Sequence, residues 1–184
     1  IIAYLSDEKW RIDVFNTHGK IYEASASKMF KVDIDEITKE SELRQKGKIA
    51  ELALGYQGGV KALVSMGAYN MNLCESELIE IVRAFRSSNT NIVKLWNTVE
   101  KAFIEAVNNK SISFIYEGNI LFIKLPSGRR LSYIRPRIDY NNAFNKSVIS
   151  YEGVDSTTKK NTRLTTYGGK LVENIVQGVA RDVL

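Results

Sequence analysis

The chain has 184 residues, of which 44% are hydrophobic and 26% charged, and Lys plus Arg exceed Asp plus Glu by five. This composition excludes a disordered chain, and no apolar run approaches the roughly 20 residues that a membrane-spanning helix needs. The mild basic excess permits a nucleotide or nucleic-acid partner. A single Cys and a single His exclude an internal disulfide and metal centres built from several such residues, and favour a reducing compartment.

Both ends of the sequence predict a fragment of a larger protein. The chain begins with IIAYLS, which has no initiator Met and is too short for the apolar part of a signal peptide. It ends with RDVL, without a helix stop or a polar tail. We therefore expect that parts of the functional site are supplied from outside these residues.

The first 109 residues predict a mostly helical region, because apolar side chains recur there at helical spacing. The predicted helical segments are one that opens at Asp7-Glu8, Ile21–Phe30, a short turn over Asp33–Lys39, a longer helix from Glu40 or Ser41 to Leu54, Val60–Met66, Glu75–Phe85 and Asn91–Val107. Gly55, Gly58 and Gly59 separate the helix that ends at Leu54 from the helix Val60–Met66.

After Asn109 the apolar pattern changes to a period of two, which predicts strands. The predicted strands are Ser111–Tyr116 and Ile120–Leu125, which form a hairpin, followed by Leu131–Arg135 and Ser147–Tyr151. Gly153–Asn161 is polar and predicts a loop, and a last helix runs from Tyr167-Gly168-Gly169 to the end. This order predicts an α+β fold, mostly α, with a helical lobe beside a small antiparallel sheet.

Several segments resemble functional motifs but lack residues that those motifs require. The glycines before Lys61 lack the Gly-Lys-Ser/Thr core of a phosphate-binding loop, and Asp33-Ile34-Asp35 lacks the glycine of a calcium loop. Capping of a helical turn is the expected role of those aspartates. We expect Cys74 to be a packed, reduced thiol and His18 to be an ordinary turn residue.

One segment, LRQKGKIAELALGYQGG from Leu43 to Gly59, places chemically distinctive residues four apart. On a helix, Arg44, Lys48, Leu52 and Tyr56 would form one slowly drifting ridge, since four residues advance about 400°. Cations for phosphates, an apolar side chain for the sugar and a phenol for the base suit a nucleoside triphosphate. The alternative is a solvated charged stripe that ends at a glycine cap.

This segment resembles the nucleotide-binding helix of family A DNA polymerases, the bacterial polymerase I kind, with the pattern Arg-x3-Lys-x7-Tyr-Gly. It resembles the phage and prophage branch more closely, through Lys-x-Ala-Glu-Leu-Ala-Leu-Gly-Tyr-x-Gly-Gly. The likeness extends along the chain in the same order. Ile1–Ser6 resembles the residues after the family's first catalytic motif, Gly128-Arg129-Arg130 resembles its Gly-Arg-Arg turn, and Thr166–Leu184 resembles a helix whose Gln faces the primer–template minor groove.

The resemblance implies a fragment of a DNA-directed DNA polymerase, a nucleotidyltransferase of DNA replication. Residues 1–184 would form part of the polymerase domain, with residues 1–109 as the mostly helical fingers region and residues 110–184 as hairpins and a palm helix. It implies that Arg44 and Lys48 contact the phosphates of a deoxynucleoside triphosphate (dNTP) and that Tyr56 lies at the base of the nucleotide pocket. Two further dNTP contacts are implied by position. Leu52 stands where the family has Phe or Tyr, and Tyr22 stands where bacterial members have a phosphate-contacting His.

The resemblance also implies a contact of Gln177 with primer–template DNA, with Lys170 as a second candidate. For Arg129 and Arg130, pairing with carboxylates and facing the DNA remain alternatives. A non-catalytic nucleic-acid-binding module is the alternative function, since the charge and the aromatic content suffice for one. A helical protein-interaction domain is a third interpretation, but it would leave Arg44 and Lys48 without a partner.

Family polymerases hold two Mg²⁺ ions between carboxylates of two motifs, which here would lie just before Ile1 and just after Leu184. The resemblance therefore implies no catalytic residue and no metal ligand within the chain, and no activity of the fragment alone. It implies dNTPs and primer–template DNA as partners, no membrane, and the cytoplasm of the bacterial host of a phage or prophage.

Overall fold

The structure, a computed structural model, describes residues 1–108, 115–141 and 146–184. Contacts divide the chain into two compact units, a helical unit of Ile2–Leu95 and a sheet unit of Trp96–Leu184 together with Ile1. The predicted fold class, α+β and mostly α with an antiparallel sheet, is confirmed. The division between the units falls between Leu95 and Trp96, inside the long helix that begins at Thr90, whereas the sequence pattern changes only after that helix ends.

The helical unit consists of short and medium helices. They are α1 (Ile2–Ser6), α2 (Lys9–Asn16), α3 (Ile21–Phe30), α4 (Glu42–Leu54), α5 (Val60–Ser65), α6 (Glu75–Ser88) and the start of α7 (Thr90–Val107), with 3₁₀ turns at Ile34–Glu36 and Ala68–Met71. Each helix predicted in this part of the sequence is present, with ends that differ by a few residues. The helix α1 and the second 3₁₀ turn carried no clear periodic pattern.

A close approach of α3 to α4 organises the helical unit. A Cβ atom at Gly47 of α4 would lie 2.3 Å from the carbonyl oxygen of Tyr22 and 3.1 Å from the Cβ of Ala26, both on α3. Ala26 and Ala50 are completely buried. Small residues therefore let the two backbones pack closely, and the glycine of α4 is required by space.

A buried arginine ties α2 to two other helices. Arg11 is 4% exposed. Both of its terminal nitrogens donate hydrogen bonds to the carboxylate of Glu51 on α4, at 2.6 and 2.7 Å. Its Nε donates to Oδ1 of Asn89, a completely buried residue after α6, at 2.5 Å. The guanidinium also lies 4.8 Å from the Trp10 ring and 5.6 Å from the Phe85 ring. These contacts fix the rotation of α4 about its own axis.

The sheet unit contains the rest of α7, five strands and a C-terminal helix. In the described residues these are β1 (Ile115–Glu117), β2 (Ile120–Lys124), β3 (Arg130–Asn141), β4 (Lys146–Val154), β5 (Asn161–Thr166) and α8 (Gly168–Val183). The strands pair in sequence order, and every pair is antiparallel. A T-shaped contact of Phe103 on α7 with Tyr133 on β3, 5.1 Å between ring centroids, anchors α7 to the sheet.

The sheet extends further than the sequence pattern predicted. Gly153, Val154 and Asn161, placed in a loop by their polar surroundings, are strand residues of β4 and β5, and β5 itself was not predicted. The strand β3 continues past the predicted end at Arg135 to Asn141, and its register with β4 shifts between Ile134 and Arg137. Residues 111–114 of the predicted first strand lie outside the described residues.

The prediction for Cys74 is wrong, since the thiol is exposed rather than packed. Cys74 precedes α6, and its backbone N–H donates to the Glu77 carboxylate at 2.9 Å, half of a capping box. The predictions for two other residues are confirmed. Asp33 caps a 3₁₀ turn by accepting from the Asp35 N–H at 3.0 Å, and His18 is an exposed turn residue.

We predict that Arg11→Ala lowers the free energy of unfolding of the helical unit by about 3–5 kcal/mol, because the Glu51 carboxylate and the Asn89 amide lose their shared partner away from water. Arg83→Ala on the exposed side of α6 is the matched control and should cost about 0.5 kcal/mol or less. Urea denaturation followed by circular dichroism measures both changes. Equal losses in the two variants would contradict a structural role for the Arg11 contacts.

Candidate functional site

The ridge predicted on α4 is present for three of its four residues. Lys48 is exposed, Leu52 is 53% exposed, and the opposite side of α4 is buried through Gly47, Ala50 and Leu54. The helix ends at Leu54, so Tyr56 lies in the turn that follows and is half-buried there. Lys48 and Leu52 therefore face away from the core of the helical unit, and the aromatic end of the ridge lies in the turn after α4.

Arg44 does not lie on a solvated face as the spacing predicted. Its Nε donates to Oε1 of Glu23 on α3 at 2.6 Å, and its side chain is only 23% exposed. The guanidinium carbon lies 5.5 Å from the ring centroid of Tyr22, which is within the range of a cation–π contact. The structure thus brings Arg44 together with Tyr22, two of the residues singled out from the sequence, and adds Glu23 to them.

Sequence reasoning missed Glu23, although one signal was available. Glu23 is the acidic residue of IYEASASKMF, a segment whose other residues are apolar or small except for Lys28, and it is 8% exposed. A buried carboxylate requires a partner, so its position predicts a cation nearby. The sequence does not tell which of the many basic residues that cation is.

The Glu23 carboxyl is held in its ionised form. Burial by itself raises the pKa of this carboxyl. The hydrogen bond and the charge of Arg44, together with the charge of Lys20, outweigh burial, so the pKa lies below the ordinary value for glutamate. Glu23 and Arg44 therefore form an ion pair at neutral pH, and the cation of the pair keeps its place beside the ridge.

A second cluster of the predicted residues lies on α8 in the sheet unit. Lys170 and Gln177 are seven residues apart, which places them on the same side of a helix, and both are exposed. Each contacts Glu173: the Lys170 ammonium at 3.0 Å and the Gln177 amide, which donates to Oε1, at 3.1 Å. Glu173 thus lies about one turn from each of the two predicted residues and links them across about two turns of the helix.

Gln177 also lines a cavity of about 490 Å³ between α8 and the sheet, whereas Lys170 does not. The wall of this cavity is rich in polar and basic side chains, namely Arg129, Arg130, Ser132, Tyr133, Tyr151, Asn174 and Arg181. An open, basic groove with an amide donor is suited to the phosphates and groove edges of a nucleic acid.

For Arg129 and Arg130, the structure shows the pairing with carboxylates that was one of the two alternatives. Arg129 donates to Oδ1 of Asp182 and to the carbonyl of Gly178 on α8, both at 2.7 Å. Arg130 lies 3.5 Å from Glu117 and against the Phe122 ring. Both guanidinium groups nevertheless border the cavity, so their pairing positions them along its wall.

Tyr133 forms the buried side of the same cavity. Its hydroxyl accepts a hydrogen bond from the Asn174 amide at 3.1 Å, and its ring makes T-shaped contacts with Phe103 and Tyr151. Burial raises its pKa to about 12, against a smaller lowering by Asn174. The hydroxyl therefore stays neutral and holds Asn174 in place one turn before Gln177.

Within residues 1–108, 115–141 and 146–184, no three His, Cys, Asp or Glu side chains come together in a way that could hold a metal ion. The same residues contain no helix that is long and apolar enough to cross a bilayer.

Comparisons with known proteins identify a similar chain in a phage. No protein-family model matches the sequence. The sequence is 56% identical, over 191 aligned positions, to a protein of Bacillus phage SP02 named DNA polymerase. The alignment covers the whole of this chain but only 29% of the phage protein. The chain is therefore similar, along its full length, to one segment of a phage DNA polymerase.

We predict that Gly47→Ala destabilises the helical unit by about 1–3 kcal/mol, because the added methyl group would meet the Tyr22 carbonyl. In an unobstructed helix the same change would stabilise by about 1 kcal/mol, so the sign itself is diagnostic. Gly59→Ala is the control, since no atom lies within 4 Å of its Cβ position. Thermal melts of both variants measure the effect, and a stabilised Gly47→Ala protein would contradict it.

We also predict an acid-dependent contribution from Glu23. Because its pKa is lowered in the folded protein, it stabilises the fold fully above the ordinary pKa of glutamate, about 4.3, and this contribution is lost as the pH falls through the lower folded value. Melting temperatures measured from pH 7 to pH 3 should therefore fall less steeply in Glu23→Gln than in the unmodified protein. Parallel curves would show that Glu23 is not ionised in a pair.

Proposed function

We propose that this chain is the part of a phage-type family A DNA polymerase that binds the incoming dNTP and contacts the primer–template duplex. The observation that carries the proposal is the ridge on α4, where the exposed Lys48 and the positioned guanidinium of Arg44 lie one turn apart. The similarity to a segment of the phage DNA polymerase supports it, since that similarity includes the whole of α4. In the polymerase, the helical unit would be the fingers region.

The ridge residues would contact different parts of the dNTP. Arg44 and Lys48 would bind triphosphate oxygens through charge-assisted hydrogen bonds. Leu52, exposed one turn further along α4, would contact the sugar, and Tyr56 in the following turn would lie near the base and the templating base. Tyr22, whose ring lies 5.5 Å from the Arg44 guanidinium, would border the phosphate end.

The sheet unit would bind the duplex. Gln177 on the wall of the α8 cavity would donate its amide to the minor-groove edge of the primer–template, where acceptors are present at every base pair. Lys170 would contact backbone phosphates, which contributes affinity without sequence preference. This division matches a polymerase that must extend any sequence.

The Mg²⁺ ions of such a polymerase would be held by carboxylates outside this segment. This chain would contribute the binding and orientation of the dNTP and of the duplex. We therefore propose that the segment by itself does not extend a primer. The polymerase would act in the cytoplasm of the bacterial host.

We predict that Lys48→Ala in the full-length polymerase lowers kcat/KM for dNTP incorporation roughly ten-fold to a hundred-fold, as expected for loss of a charge-assisted hydrogen bond worth about 1.5–3 kcal/mol. The melting temperature should change little, because Lys48 is exposed. Steady-state primer extension with varied dNTP measures the effect.

Lys46→Ala is the matched control, since Lys46 lies about 200° around α4 from Arg44 and pairs with Glu42. The control should keep kcat/KM within about twofold. If Lys48→Ala behaves like Lys46→Ala, the ridge is a charged stripe and the dNTP assignment is wrong. If full-length protein binds DNA but never extends a primer, the non-catalytic binding module is the better description.

A further inference from the structure

The contacts of Arg44 with the described residues engage only part of its guanidinium. A guanidinium has an Nε side and two terminal nitrogens, and here only Nε donates a hydrogen bond to the described residues, to Oε1 of Glu23. One face of the group lies against the Tyr22 ring. The side chain is therefore fixed at its inner edge and on one face, while the two terminal nitrogens remain available as a fork for a bidentate acceptor.

Glu23 is itself firmly placed. Its side chain is 11% exposed and belongs to α3, whose backbone meets α4 at Gly47, within one turn of Arg44. The approach of α3 to α4 therefore determines the distance from the Glu23 carboxylate to Arg44. An arginine held in this way has already lost its rotamer freedom before a ligand arrives, which lowers the entropic cost of binding.

We propose that Glu23 is a positioning residue for the triphosphate, acting through Arg44: its carboxylate holds Nε so that the two terminal nitrogens point outward to grip phosphate oxygens. The inference rests on the proposed function of the α4 ridge and adds a residue that does not touch the nucleotide. A negative charge near a triphosphate site would by itself weaken binding. The benefit of Glu23 must therefore come from the length of its side chain and from its hydrogen bond to Arg44. Variants that change the length or the charge separately can distinguish positioning from electrostatic repulsion.

Two variants of the full-length polymerase separate reach from charge. Glu23→Asp keeps the charge but shortens the side chain by one methylene, so the carboxylate withdraws from Nε. Glu23→Gln keeps the reach and the acceptor oxygen but removes the charge. We expect Glu23→Asp to raise KM for dNTP about ten-fold with kcat nearly unchanged, and Glu23→Gln to stay within about threefold of the unmodified enzyme. Thermal melts of each variant confirm that it is folded under the assay conditions.

A double-mutant cycle tests whether Glu23 acts through Arg44. Arg44→Ala should raise KM by itself, and adding Glu23→Asp to Arg44→Ala should change KM by less than twofold. A ten-fold effect of Glu23→Asp that persists without Arg44 would overturn the inference, as would a loss in Glu23→Gln equal to or larger than that in Glu23→Asp. A normal KM in Glu23→Asp would overturn it too.

The cycle also keeps this inference apart from the proposed function. If Arg44→Ala leaves KM unchanged, the ridge does not bind the triphosphate and the proposed function fails at its first step. If Arg44→Ala raises KM while Glu23→Asp does not, the ridge binds the nucleotide and only the positioning role of Glu23 is wrong.

Discussion

The contact of α3 with α4 at Gly47 is the constraint on which the candidate nucleotide site depends. Without a side chain at Gly47, the two helical backbones approach to a distance that a methyl group would not allow. That approach places Tyr22 and Glu23 of α3 against Arg44, one turn before Gly47 on α4. The ion pair between Arg11 and Glu51 then fixes α4 from its other end. A site for a flexible, highly charged ligand is thus built on two helices that these contacts hold together.

Acidic side chains hold the basic ones on both candidate surfaces. Glu23 pairs with Arg44 in the helical unit, and in the sheet unit Glu173 pairs with Lys170 and Asp182 with Arg129. The Asp182 carboxyl has a lowered pKa, because it accepts hydrogen bonds from Ser127 and Arg129. Arg44, Lys170 and Arg129 are therefore each oriented by a neighbouring carboxylate.

The sequence predicted the helices well because their signals are local. Apolar periodicity located α2 to α8 within a few residues, and four-residue spacing identified the exposed side of α4. The strand β5 was not predicted because NTRLTT is polar, and because its pairing with β4 depends on residues 7 to 17 positions away. The role of Glu23 was missed because it also depends on a distant residue, since its partner Arg44 lies 21 residues further along the chain. Cys74 was misjudged because small thiols are most often buried, whereas this one precedes a helix and lies in solvent.

The two tryptophans of the chain divide between the two units, and their surroundings differ. The Trp10 indole donates to the Ser88 carbonyl at 2.8 Å and is contacted by the cations of Arg11 and Lys28. Trp96 is 1% exposed, and its Nε1 has no hydrogen-bond partner among the described residues. Indole emission shifts to shorter wavelength in apolar surroundings, so Trp96 should emit at the blue side of the spectrum and Trp10 at the red side. Intrinsic fluorescence can therefore follow each unit separately without an added label.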